Sequence, residues 1–305
     1  MKKIEKSKLG KTGLTISRLG FGSMELRGPK VWGGRVVDEK NAERVLNRVL
    51  DEGINFIDTA HVYGTSEELI GKFVAHRRSE YVLATKCGVF IDADNNTQKD
   101  CDASRLMNQM ETSLRLLKTD HVDLIQLHNP PVEMCRKQGA VETLIKMKEQ
   151  GKAKHIGIST FFPDVPEYAQ WGVFETFQLP YSALERVHED AITGAFRRGI
   201  GVIIRGGVGQ GEPSGGIKAE SKWAKFEAAG LDELRSEGES RTEWMLRFTL
   251  THPHACTVIV GTSNPDHLAA NINALRRGPL PANVYAEAKT RLDAAGIKVT
   301  PFPGA

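Results

Sequence analysis

Apolar positions along the chain recur with two different periods. Stretches 81–86 (YVLATK), 122–128 (VDLIQLH) and 201–205 (GVIIR) are short and almost continuously apolar, as strands covered on both faces should be. Between such stretches the spacing becomes helical. Residues 39–50 place Ala42, Val45, Leu46, Val49 and Leu50 on one face and stop at Gly53. The same reading predicts strands at 18–24, 55–60, 155–159, 176–180 and 257–261, and helices at 66–74, 102–117, 140–148, 165–170, 188–198, 241–250 and 265–275.

Strand and helix thus alternate eight times at a spacing of about thirty residues, which is the arithmetic of an α/β fold of the (β/α)8 TIM barrel type. Residues 9–16, with a turn at Thr12-Gly13, predict a short N-terminal β-hairpin ahead of it. Residues 1–305 are read as one barrel domain. Residues 205–240, rich in glycine, are too long for a connector and read as a mobile lid or specificity loop with a helix near 221–229.

With 40 % apolar and 26 % charged residues the chain can bury a large core, and a net charge of +3 with no basic block makes nucleic acid and anionic membrane poor partners. Cys87, Cys101, Cys135 and Cys256 form no C-x-x-C pair, so neither a zinc knuckle nor a disulfide framework is expected. A charged N-terminus without a signal-peptide core and the lack of a long apolar run point to a cytoplasmic protein. Gly10-Lys11-Thr12 resembles a phosphate loop, but Glu5 occupies the position of its leading glycine. His252 and His254 precede the last strand, on the wrong face of a barrel for a metal pair, and no metal is expected.

In such a barrel the chemistry gathers at the C-terminal ends of the strands. There the sequence puts Asp58 with Tyr63 just beyond it, then Lys86, then His128-Asn129, on three successive strands. A phenol with a pKa of about 10 needs a nearby cation to become a useful acid, and lowering that pKa by about two units takes roughly 2.7 kcal/mol of differential stabilisation. Lys86 is placed to supply it, Asp58 to aim Lys86, and His128 to orient a carbonyl oxygen over Tyr63. The set suits protonation of an oxygen while hydride reaches its carbon. His61 and Trp32 belong to loops on the same face.

The run FIDTA-x-x-YG-x-SE at 56–67, Lys86 after LAT, LHNP at 127–130, GIST at 157–160 and IVG-x-S-x-P at 259–265 together resemble the aldo-keto reductase family over residues 9–275. The resemblance implies an NAD(P)H-dependent oxidoreductase that reduces an aldehyde or ketone to an alcohol, with Tyr63 as general acid tuned by Lys86 and Asp58, and His128 placing the substrate; the Arg205 cation points to a polar or anionic substrate of a sugar or keto-acid type. It also implies cofactor contacts. Ser159 and Gln178 fall where the carboxamide is held, with Thr160 where Asn is usual. Gly22, Ser23, Met24 and Asp58 are further candidate cofactor contacts, and Gly261, Ser263, His267 and Asn271 fall at the adenosine phosphate end. Arg205 stands where an aromatic often stacks on the nicotinamide, and Ser263 where a basic residue commonly grips the 2′-phosphate. NADP is the expected cofactor, with NAD as its alternative. No G-x-G-x-x-G fingerprint is present. The alternative function is a nicotinamide-binding, redox-sensing or regulatory subunit with little turnover. Substrate identity and oligomeric state are not legible.

Overall fold

The computed structural model describes residues 4–209 and 217–305. Strands β1 (Lys6–Lys8) and β2 (Thr15–Ser17) pair antiparallel as a hairpin. The barrel strands are β3 (Leu19–Gly22), β4 (Phe56–Asp58) and β5 (Val82–Cys87), followed by a side hairpin of β6 (Val89–Ile91) and β7 (Thr97–Lys99). The barrel continues with β8 (Val122–His128), β9 (Ala153–Ser159), β10 (Thr176–Pro180), β11 (Gly201–Arg205) and β12 (Thr257–Val260). All eight barrel strands pair in parallel, and β12 closes on β3.

Helices α1 (Glu39–Asp51), α2 (Ser66–Phe73), α3 (Ala103–Leu117), α4 (Val132–Gln138), α5 (Ala140–Glu149), α6 (Val165–Trp171), α7 (Glu189–Arg197), α8 (Ile217–Ala228), α9 (Arg241–Thr251), α10 (Pro265–Arg277) and α11 (Ala282–Ala294) complete the described elements. Local chemistry starts them where the sequence predicts. Asp38 accepts hydrogen bonds from the Lys40 and Asn41 amides at the start of α1, and Ser240 with Glu243 forms a capping box on α9. No described helix is long and apolar enough to cross a membrane.

The predicted (β/α)8 barrel is therefore the observed fold, with differences in detail. The hairpin strands lie further out than residues 9–16, because Leu9 and Ile16 turn inward and plug the barrel floor against Phe56, Ala84, Leu124 and Ile203. Helix α4, the β6–β7 hairpin and α11 were not expected. The hairpin lies largely at the surface, and α11 buries only Ala288 and Leu292, so neither prints a strong apolar period. Of the expected lid, α8 matches the predicted helix, whereas residues 210–216 lie outside the described residues.

Candidate active site

A barrel strand sends every second side chain inward, so polarity along one strand decides what the interior holds at each level. The inward series is Phe56 then Asp58 on β4, Ala84 then Lys86 on β5, Leu124, Gln126 then His128 on β8, and Ile203 then Arg205 on β11. Apolar residues fill the floor, and the polar ones are raised to the C-terminal mouth. Strand register levels them: Lys86 pairs with Gln126, His128 with Ser159, and Ser159 with Gln178.

Asp58 is the hub. Lys86 Nζ donates to Asp58 Oδ2 at 2.5 Å and to the Thr59 carbonyl at 2.9 Å, with both side chains sealed from water. Asp58 Oδ1 accepts from Gln178 Nε2 at 2.8 Å and from Gln126 Nε2 at 3.3 Å. The carboxylate is thus held on both oxygens, and its direction toward Lys86 is fixed.

Tyr63 enters from the loop after β4, its backbone N–H donating a hydrogen bond to the Ala60 carbonyl. Lys86 Nζ lies 5.2 Å from the Tyr63 ring centroid. The ring meets His128 edge-on at 5.8 Å and Trp32 edge-on at 6.0 Å. The expectation of a lowered phenol pKa is not met in this state. Burial is the largest influence and pushes the Tyr63 pKa up; the charges of Lys86 and Arg205 and the Lys86 hydrogen bond pull it down without reversing the sign, and the Asp58 charge adds to the rise. Burial, followed by the charges of Lys86, Arg205 and Lys99, holds the His128 imidazole well below the usual histidine range, so it is neutral at neutral pH.

The residues expected at the cofactor fall into two groups. Gly22, Ser23 and Met24 lie where β3 ends beside β4; the buried Ser23 hydroxyl donates to the Asp58 carbonyl at 2.9 Å, while Met24 is 39 % exposed. Ser159 donates to Asn129 Oδ1 at 2.8 Å, and Gln178 is committed to Asp58. Gly261 follows β12 so close to β3 that a side chain there would stand 2.4 Å from the Gly22 carbonyl oxygen. Ser263 and His267 are exposed around the start of α10, with Asn271 buried two turns on. Thus the residues expected at the nicotinamide and those expected at the phosphates border one mouth and approach each other at Gly22 and Gly261.

Among the described residues, four of the buried polar atoms that lack a hydrogen-bond partner lie at this rim, the others being elsewhere: His61 Nδ1, His128 Nδ1, Ser182 Oγ and Arg205 Nε. All four residues stand at or just past the C-terminal ends of barrel strands, and such groups are costly to bury unless something polar meets them. A nicotinamide carboxamide and a carbonyl substrate carry the donors and acceptors that fit. Among the described residues no group of three or more His, Cys, Asp or Glu could hold a metal.

Sequence reasoning missed three contributors. Gln126 looked like one polar residue inside an apolar strand, although its position two before His128 puts it on the same inward face. Lys99 and Thr97 come from the unexpected β6–β7 hairpin. Thr97 accepts from Trp32 Nε1 at 2.6 Å, and Lys99 Nζ donates to the Asn129 carbonyl at 2.5 Å.

A closed (β/α)8 barrel whose C-terminal mouth gathers ionisable groups is the architecture of a barrel enzyme. The model of the Aldo/keto reductase family matches residues 18–292, and the chain belongs to that family of oxidoreductases. It is 28 % identical to the uncharacterized oxidoreductase YqkF of Bacillus subtilis over 288 residues, covering 89 % of this chain and 91 % of that protein. It is 26 % identical to the NADH-specific methylglyoxal reductase of Escherichia coli, covering 90 % of this chain and 94 % of that one. Among solved structures, the holo form of aldo-keto reductase AKR11C1 from Bacillus halodurans superposes with a TM-score of 0.83 at 29 % identity, covering 94 % of this chain and 96 % of that one.

Proposed function

We propose that this protein reduces the carbonyl of an aldehyde or ketone to an alcohol with a nicotinamide dinucleotide as partner, and that Tyr63 is its general acid. The observation that carries the reading is the convergence of Lys86 Nζ, 2.5 Å from Asp58 Oδ2 and 5.2 Å from the Tyr63 ring centroid, with His128 edge-on to the same ring at 5.8 Å. Neutral His128 donates a hydrogen bond to the substrate oxygen and turns it toward the phenol. Tyr63, its pKa raised by burial, keeps its proton until that oxygen gains charge. Lys86 then stabilises the phenolate left behind, and Asp58, gripped by Gln126 and Gln178, keeps Lys86 aimed. A reduced nicotinamide, when bound, supplies hydride to the carbonyl carbon.

Gly22, Ser23, Met24, Asp58, Ser159, Gln178 and Arg205 would border the nicotinamide, and Gly261, Ser263, His267 and Asn271 the adenosine phosphates. NADPH is the donor in this reading. One observation favours NADH instead: residues 261–271 contain no Lys or Arg, Ser263 is neutral, and Asp266 and Glu25 put carboxylates nearby. Fluorescence titration with both dinucleotides, side by side, decides between them.

Replacement of Tyr63 by Phe tests the mechanism. The variant should bind dinucleotide as the parent does and lose on the order of a thousandfold or more in turnover of a simple aldehyde. Equal turnover in the two proteins would remove Tyr63 from the chemistry.

A further inference from the structure

Two cations at the mouth are not consumed by the catalytic set. Lys99, on β7, reaches over the end of β8 and, among the described residues, bonds the carbonyl of Asn129, the residue next to His128. Arg205 ends β11, three strands round the barrel, with its Nε buried and without a hydrogen-bond partner among the described residues. Neither makes an ion pair among the described residues. Asp164 lies near enough to feel the Lys99 charge, and Glu185 that of Arg205, so each cation is countered only at a distance. The Asp58–Lys86 pair is internally neutral, so it leaves the field of Lys99 and Arg205 standing over the substrate position.

The β6–β7 hairpin that carries Lys99 is fixed to the site at two further points. Val89 packs with Ala60, Val62 and Tyr63 beneath it, and Trp32 donates to Thr97 above Tyr63 while meeting the Tyr63 ring. Lys99 is thereby held at a set distance from the phenol, and its ammonium has donors to spare beyond the one given to Asn129.

Resting on the reductase reading, we propose that the substrate is a carbonyl compound bearing a carboxylate, which Lys99 binds at the rim while its carbonyl lies between His128 and Tyr63. Arg205 adds to the positive potential from the opposite wall. A carboxylate suits the site better than a phosphate, since one ammonium with a free donor and distant counter-charges matches a single negative charge. Lys99 determines specificity and takes no part in the proton or hydride transfer.

The test compares 4-carboxybenzaldehyde with benzaldehyde and 4-formylphenyl phosphate as substrates for the parent, Lys99→Gln and Lys99→Arg. The parent should favour the carboxylated aldehyde in kcat/KM. The ratio of carboxylated to neutral substrate should fall roughly tenfold in Lys99→Gln, the scale of a lost charge-assisted hydrogen bond, and return in Lys99→Arg. Equal ratios in parent and Lys99→Gln overturn the assignment, as does a preference for the phosphate. Calorimetric titration of the dinucleotide-loaded proteins with benzoate and benzamide judges Lys99 without turnover: benzoate should bind the parent more tightly, and Lys99→Gln should lose the difference. Failure to reduce benzaldehyde at all would count against the reductase reading and leave that comparison intact.

Discussion

Asp58 and Lys86 face each other across neighbouring strands as an ion pair, Oδ2 to Nζ 2.5 Å, at the centre of the mouth and out of reach of water. Two buried charges in such a place hold one another, and removing either leaves its partner uncompensated. Asp58→Asn should therefore destabilise the fold by about 3–5 kcal/mol in urea denaturation, and the double variant Asp58→Asn/Lys86→Met should recover much of that loss. If the double variant were the sum of the singles, the two residues would not be acting as a pair.

The directions of the Tyr63 and His128 pKa values set an expected pH profile for reduction. Tyr63 is protonated and His128 neutral throughout the neutral range, since burial raises the first and lowers the second. Steady-state kcat/KM should thus be flat from about pH 6 to about pH 9, with no inflection at the usual histidine pKa of about 6.5. An inflection there that vanished in His128→Gln would show that the imidazole carries charge in the working enzyme.

Gly71 illustrates a position where helix propensity points the wrong way. It lies in α2, and alanine in a helix interior is normally preferred to glycine by about 0.5–1 kcal/mol. Here a Cβ would stand 2.0 Å from the Leu116 carbonyl oxygen on α3, a backbone atom that cannot swing aside. Gly71→Ala should lower stability by about 1–3 kcal/mol, the scale of overpacking, read as a drop in the denaturation midpoint. A gain in stability would mean that α2 and α3 can separate without cost.

The sequence displays some of these features openly and hides others for physical reasons. Asp58, Lys86 and His128 are legible because a polar residue closing an apolar strand can only be at a barrel mouth, and Tyr63 because it follows Asp58 through a short turn. Gln126 is hidden by its neighbours, since an amide inside an apolar run is explained only by what it bonds to. Lys99 is hidden because the surface hairpin that carries it buries little and so leaves no period to read. The pKa of Tyr63 depends on a balance between burial, Lys86 and Asp58 that spacing along the chain cannot give. Of the lid expected over residues 205–240, residues 210–216 lie outside the described residues.

Glu67 connects the wall behind the site to pH. It is buried on α2, accepts a hydrogen bond from Thr85 Oγ1 at 2.5 Å, and Thr85 is the neighbour of Lys86 on β5. Burial pushes its pKa from the ordinary 4.5 to about 7, with the Thr85 and Ser113 hydroxyls and the Lys86 charge offsetting only part of the effect. Below pH 4.5 both folded and unfolded chains hold this proton, and it contributes no slope. Between 4.5 and 7 the folded protein keeps a proton that the unfolded chain has released, so stability falls as pH rises; above 7 the loss is complete. The whole effect is on the order of 3 kcal/mol. Glu67→Gln keeps the shape and an acceptor for Thr85 while removing the titration. Urea denaturation of parent and variant at a series of pH values, taken as a difference so that other groups cancel, should show the parent losing ground to the variant across that window. A difference that stayed constant with pH would mean that the Glu67 carboxyl titrates alike in the folded and unfolded chains.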